Sequence, residues 1–250
     1  MPAMAFRMAV PTVLVDLRKL PGLDRTDLSE DGLRLGAKVR WCQIENDGRL
    51  KIAHPLLVAA ISHVAHYQIR NRGTVGGSLA HADPAAEMPG IAVTCDGELT
   101  LAGGAGTRKI PAADFFLGPL STALADDELV VEIRLPAWPP DRRWAFEEFA
   151  RRRGDFAIAG IAAYYDVDGE GKAENTHIGV IGACERPHRL TEAEEMLNGR
   201  RADEATILAV AKSAASGVTP PDDIFASAEY RRSLVETLTE RALRRMTAAP

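Results

Sequence analysis

Hydrophobic positions recur at every second residue in some stretches of this chain and at three- and four-residue steps in others. That alternation sorts the sequence into strand-like and helix-like segments. Thr12–Leu17 and Gly32–Ala37 read as strands, with polar turn material at Leu20–Asp31 between them. Pro55 suits a first helical position, and Leu56, Leu57, Ala60, Ile61, Val64 and Ala65 then mark one helix face. Ile69 to Asp83, rich in glycine and small polar residues, reads as a loop. Asp83-Pro84 follows as the cap and first turn of a second helix that reaches about Val93. Strand patterning returns in a hairpin, Glu98–Ala102 and Thr107–Ile110 about a Gly-Gly-Ala-Gly turn, and in Glu128–Leu135, which stops at Pro136.

Pro136, Pro139 and Pro140 make 136–143 the expected junction between two domains, residues 1–138 and 142–248. Beyond it Trp144–Ala150, Ile158–Val167 and Thr176–Gly182 read as strands. Three helices close the chain. The first starts at Thr191, with Glu194 placed for a capping box. The second runs from about Ala202 to Ser216 and stops at Gly217. The third starts near Ser227, with Leu234, Leu238, Ala242, Leu243 and Met246 as its buried stripe. Strands followed by helices predict an α+β second domain, with helices on one face of a three-stranded antiparallel sheet.

Composition narrows the classes of function. The 250 residues are 46% hydrophobic with a formal charge of −5, which excludes a disordered chain and gives no basic footprint for nucleic acid. The longest uncharged run, Ile52–Ile69, contains three histidines, Ser62, Gln68 and Pro55, and is too polar to span a bilayer. Arg7 and Pro11 interrupt the opening apolar stretch, so no secretory signal is expected and the cytoplasm is the expected compartment. Cys42, Cys95 and Cys184 are too few and too dispersed for a disulfide framework, an iron–sulfur cluster or a four-thiolate zinc site. Cys95 lies in an apolar segment and reads as a small core residue. His63 and His66 lie three residues apart and His81 lies near Asp83, but no third ligand is fixed, and no metal site is expected.

Candidate chemistry concentrates in residues 69–89. Gly76 and Gly77 lack Cβ atoms, so main-chain amides there could approach a bulky anion, and Thr74 and Ser78 bracket them with hydroxyls. A helix start at Asp83-Pro84 would add partial positive charge, and Glu87 could accept hydrogen bonds from a ribose or adenine. The same residues also make an ordinary turn followed by a capped helix. The spacing is neither that of the dinucleotide fingerprint G-x-G-x-x-G nor that of a P-loop. Arg70 and Arg72 flank the pair, and Arg151-Arg152-Arg153 form a second basic run.

The run IRNRGTVGGSLAHADPAAEMP (69–89) resembles the flavin-binding segment of the FAD-binding, or medium, subunits of the molybdopterin dehydrogenases, the carbon monoxide and xanthine dehydrogenase family. The likeness extends through AADFFLGPLSTALADDELVVEIRLP (112–136), FEEFARRRGDFAIAGIAAYYDVD (146–168) and SAEYRRSLVETLTERAL (227–243). It implies a vanillyl-alcohol-oxidase-like (PCMH-type) FAD-binding domain followed by a smaller α+β domain, non-covalent FAD, and cluster and pterin on other chains. The expected partners are a small subunit with two [2Fe–2S] clusters and a large subunit with the molybdenum–pterin centre, as a dimer of heterotrimers. Electrons would pass from the clusters to FAD and on to an acceptor such as a quinone, NAD or dioxygen. In that scheme Thr74, Val75, Gly76, Gly77 and Ser78 meet the pyrophosphate and ribityl region. Asp83 and Glu87 serve the nucleotide part, a group in 151–153 borders the flavin, and no residue of this chain is catalytic. Family members also carry an N-terminal Ala-Gly-Gly-x-Ser-Leu flavin loop, whereas Met1–Arg7 here resembles the residues just after it. The alternative expectation is a flavin-free assembly subunit of the same complex.

Overall fold

In the computed structural model, which describes residues 4, 7 and 10–248, the first half of the chain folds about a five-stranded antiparallel sheet. Its strands are β1 (Thr26–Ser29), β2 (Gly32–Gly36), β3 (Glu98–Gly103), β4 (Gly106–Pro111) and β7 (Leu129–Leu135); β5 (Phe116–Gly118) and β6 (Ser121–Thr122) form a separate ribbon. The sheet order is β1-β2-β7-β3-β4. Six short helices intervene: α1 (Trp41–Asn46), α2 (Gly48–Ala53), α3 (Pro55–Ile61), α4 (Tyr67–Arg70), α5 (Val75–His81) and α6 (Glu87–Thr94), with α7 (Ala112–Phe115) after the hairpin. Leu35, Leu99 and Ile133 from the sheet join Ile44, Leu57, Leu79 and Ile91 from the helices in one core.

Four local expectations are corrected. Thr12–Leu17 is not a strand: Val13, Leu14 and Val15 are exposed, no described strand lies alongside to complete a ladder, and the segment ends in a 3₁₀ turn, Leu17–Lys19, capped by Asp16. The polar stretch Leu20–Asp31 contains β1, an edge strand too exposed to show alternation. The expected loop 69–83 holds α5, whose Val75 and Leu79 are buried one turn apart while its glycines hide the period. The next helix starts at Glu87 rather than at Asp83-Pro84, because Asp83 Oδ1 instead accepts from the Ala85 N–H (2.9 Å) in a local turn. The Met1–Arg7 stretch, compared above with the family, lies mostly outside the described residues.

The second half holds the three expected strands, β8 (Arg143–Phe149), β9 (Ala159–Val167) and β10 (Ala173–Ile181), joined at the edge by the two-residue β11 (His188–Arg189). The helices are α8 (Thr191–Leu197), α9 (Glu204–Ser216) and α10 (Ala228–Ala248). α8 has no capping box: Leu190 is its N-cap, and the buried Glu194 carboxylate accepts instead from the Ile178 N–H (2.8 Å) and from Arg189. Along β9 both faces are buried. Ile161, Ala163 and Tyr165 point to α8–α10, while Ala162 and Tyr164 belong to the core of the first half.

α6 lies at that second face, and all eight of its residues are buried. It approaches β10 closely at two glycines: a Cβ on Gly179 would overlap Thr94, and one on Gly90 would overlap Ile181. We expect Gly179→Ala to cost about 1–3 kcal/mol by overpacking, while Gly169→Ala, with nothing within 4 Å of the added methyl, leaves stability unchanged. Urea unfolding of the two variants checks this, and equal midpoints would contradict the packing.

Candidate functional site

The glycine pair lies in the first turn of α5, whose N-cap is Thr74. A bridge between Arg40 and Thr74 aligns the incoming chain with the strand exit of β2. The Val75 N–H donates to the Val39 carbonyl (2.9 Å) and the Gly76 N–H to the Ala37 carbonyl (2.8 Å). The Gly77 N–H donates to Thr74 Oγ1 (3.2 Å), and the Ser78 N–H to the Thr74 carbonyl (3.0 Å). The expected picture of free amides closing on a diphosphate is therefore corrected: these four have partners within the chain.

The two glycines do different jobs. Gly76 is buried, and a Cβ there would come 2.9 Å from Ala37 Cα, so its bareness lets α5 press on the β2–α1 turn. Gly77 is exposed, and the only atom within 4 Å of an added Cβ is Thr74 Oγ1, at 2.9 Å. What the segment presents outward is thus the bare backbone of Gly77 with the half-buried Thr74 and Ser78. These fit the close approach of a bulky anion, through hydroxyls rather than through the first-turn amides.

Asp83 is half-buried, and with Pro84 and Ala85 it walls a cavity of about 850 Å³. The opposite wall comes from the second half: Arg151, Arg152, Phe156, Phe225 and Arg231. That volume lies within the range of cofactor pockets, roughly 300–1,000 Å³. Its geometry is fixed by buried Arg231 on α10. Arg231 Nη1 donates to the carbonyls of Ile158 (2.7 Å) and Gly182 (3.0 Å), and Nη2 to Asp223 Oδ2 (2.7 Å). The Gly182 N–H in turn donates to the Pro84 carbonyl (2.9 Å), which ties the 83–86 segment to the end of β10. The guanidinium of Arg151 lies 5.8 Å from the ring centre of Phe225, so the cavity mixes basic and aromatic surface.

Glu87 is buried at the start of α6, and burial, then the charge of Glu148, push its carboxyl up to about 8. Glu148 is the residue the sequence reading passed over. Its neighbours on the same face of β8 are Trp144 and Phe146, which turn toward the core, and an acid in that register was the available signal.

The histidines separate. His54 is the buried N-cap of α3, its Nδ1 accepting from the Leu57 N–H (3.4 Å), and burial holds it down to about 3. His63 packs edge-on against Phe146 (5.0 Å), and His81 is exposed at the end of α5. Among the described residues no three His, Cys, Asp or Glu side chains converge on a metal-sized site. Cys95 and Cys184 are buried, and burial pushes the Cys184 thiol up to about 12. No described helix is long and apolar enough to cross a membrane.

Comparison with known proteins agrees along the whole chain. A family profile described as the FAD binding domain in molybdopterin dehydrogenase matches residues 1–138, and one described as the CO dehydrogenase flavoprotein C-terminal domain matches residues 144–246. The 6-hydroxypseudooxynicotine dehydrogenase complex subunit alpha of Paenarthrobacter nicotinovorans is 37% identical over 242 residues, 97% of this chain and 82% of that protein. The nicotine 6-hydroxylase medium subunit of the same organism is 37% identical over 243 residues, 97% of this chain and 85% of that one. Carbon monoxide dehydrogenase from Hydrogenophaga pseudoflava superposes with a TM-score of 0.95 at 31% identity, covering 99% of this chain and 86% of that chain.

Two outcomes follow from the site. Gly76→Ala is expected to lose about 1–3 kcal/mol, whereas Gly77→Ala, on the open face of the helix, stays within about 1 kcal/mol; chemical unfolding separates them, and equal effects would contradict the division of roles. The raised Glu87 carboxyl sets a pH dependence of known sign. The folded chain keeps this proton up to about pH 8 while the unfolded chain releases it near the ordinary 4.5. Stability from this group is full below that lower value and falls as pH rises toward the upper one, by on the order of 1.4 kcal/mol per pH unit at most. Unfolding free energies of Glu87→Gln and the parent between pH 5 and 8 should diverge in that sense; parallel curves would contradict it.

Proposed function

The chain belongs to the FAD-binding subunits of the molybdopterin dehydrogenases, and we propose that within such a molybdenum hydroxylase complex it is the component that transfers electrons through FAD. As a member it is an oxidoreductase subunit. The observation that carries the reading is the cavity shared by the Asp83–Ala85 segment and the arginines of the second half, at the end of the segment that bears the glycine pair. A dinucleotide needs an elongated site with one basic, polar end and one flat, apolar region, and these walls offer both.

In this reading Gly77, Thr74 and Ser78 receive the pyrophosphate and ribityl region, and Val75 and Gly76 set the shape of the turn that presents them. Asp83 and Glu87 serve the nucleotide part, and Arg151 and Arg152 supply positive potential at the far wall. When bound, FAD supplies the passage between single-electron and paired-electron transfer, and this chain supplies placement and electrostatic surroundings. The partners are then a small iron–sulfur subunit with two [2Fe–2S] clusters and a large molybdenum–pterin subunit, assembled as a dimer of heterotrimers. Three dispersed cysteines, two of them buried, leave this chain no cluster ligands of its own. Substrate choice belongs to the molybdenum subunit, and the cytoplasm suits the free thiols.

A second reading keeps the fold and partner surfaces without the flavin. It draws on the first-turn amides of α5 being bonded within the chain. Purification with the partner subunits, followed by acid release and assay of free flavin, decides between the two: one flavin per chain supports the first, and a folded complex that releases no flavin the second. Gly77→Asp sharpens the test. At the third position of α5 an aspartate suits the helix start, yet it sets a negative charge where the diphosphate is proposed to lie. Flavin content should fall at least tenfold while the variant stays folded, its stability lowered by no more than about 1 kcal/mol, the cost of a displaced Thr74 cap; full flavin content in that variant would contradict the site.

A further inference from the structure

A second cavity, of about 310 Å³, lies between the two halves. The first half contributes Ser62 and His63 from the turn after α3. The second half contributes Glu148 on β8 and Arg152, Arg153 and Gly154 from the loop that follows. Arg152 and Gly154 also line the large cavity, so the two adjoin. Backbone contact fixes the wall. Gly154 has φ +89°, and a Cβ there would come 2.5 Å from His66 Nδ1 and 2.8 Å from the Ala65 carbonyl. Only glycine lets this loop press so closely on the turn before α4.

One part of the lining accepts hydrogen bonds and another donates them. Glu148 has 4% of its side chain exposed; its Oε1 lies 3.5 Å from His63 Nδ1, and its Oε2 is buried with no hydrogen-bond partner. A carboxylate has about four acceptor sites, and a buried one left unused calls for a donor. Ser62 Oγ donates to the Ala59 carbonyl (2.7 Å), which leaves its lone pairs to accept. Arg152 and Arg153 are exposed, and among the described residues neither side chain has an ionic partner. A guanidinium only donates, in a fork that fits phosphate. Two cations against one acid suit a ligand with an anionic tail and an uncharged, donating head. Sugar hydroxyls are such a head, and an acidic side chain is their usual acceptor in dinucleotide folds.

We propose that this cavity binds a phosphorylated sugar, its hydroxyls on Glu148 and Ser62 and its phosphate on Arg152 and Arg153. The unpartnered Oε2, the two unpaired guanidinium groups and the fixed wall carry the inference. The volume lies at the lower end of small-ligand sites, roughly 300–1,000 Å³, and suits a pentose phosphate better than a whole dinucleotide. That chemistry has two sources: a free sugar phosphate, or the sugar-phosphate part of a flavin whose remainder lies in the adjoining cavity. The site itself requires no flavin and goes beyond the reading above.

Calorimetric titration of the purified full chain with ribose 5-phosphate tests it, with inorganic phosphate as the control probe. Ribose 5-phosphate should bind at one per chain, at least tenfold more tightly than phosphate. Glu148→Gln should weaken ribose 5-phosphate about tenfold and leave phosphate unchanged. Arg153→Ala, at an exposed position, should weaken both at least threefold. Binding only after the flavin is stripped assigns the site to the flavin's own sugar phosphate; equal binding with and without flavin assigns it to a free ligand. No saturable binding in either form, or a ribose 5-phosphate affinity that either variant leaves in place, would overturn the proposal. Should Glu148→Gln not fold, Arg153→Ala and the preference over phosphate decide alone. A flavin-bearing chain that fails this test keeps the flavin reading, and a flavin-free chain that passes it loses that reading alone.

Discussion

An eight-residue helix buried along its whole length must be covered from two directions, and that requirement organises the molecule. α6 presents Met88, Ile91, Ala92 and Val93 to the core of the first half, while Gly90 and Thr94 lie against β10 of the second. Its apolar residues, Met88, Ile91, Ala92 and Val93, are stable only in an interior, so neither half can expose it. The second sheet pays for this closeness with small residues: Gly179 and Ala162 leave room where a larger side chain would hold the sheets apart. As a result both faces of β9 are buried and the two halves act as one body. The cavity between Asp83 and Arg231 opens where that clamp ends, its walls fixed through the Pro84 carbonyl, the Gly182 backbone and the Arg231 guanidinium.

Buried charge is handled in two contrasting ways. Arg231 and Glu194 are each held by several partners, main-chain and ionic, as the loss of hydration demands. They are structural ties: one binds α10 to the sheet ends and the other binds α8 to β10. Glu148 is held less completely: His63 lies 3.5 Å from Oε1, and Oε2 is buried with no partner.

Much of this was legible in the sequence, for identifiable reasons. The strands and helices of the second half follow from period-two and helical patterning strong enough to survive burial, and α9 ends at Gly217 as expected, though that glycine keeps a right-handed conformation. The motif in 69–89 resembled the right family because it is long and specific. What failed was anything decided by a distant partner. Thr12–Leu17 has a strand's composition, but pairing depends on a neighbour it lacks among the described residues. Gly76 and Gly77 look equivalent in sequence, and only the approach of Ala37 separates a packing glycine from an open one. Glu147 and Glu148 likewise look alike; the strand's alternation sends one out to Arg245 and the other inward beside Phe146.

The central claim is that the cavity joining the two halves is where a dinucleotide lies, led in by the open face of Gly77. An experimental structure of the purified complex with its flavin tests it most directly. The account places the diphosphate against Gly77, Thr74 and Ser78, and the rest of the ligand along the walls formed by Asp83, Arg151 and Arg231. A dinucleotide bound elsewhere, with that cavity filled by a partner's side chains, would contradict it.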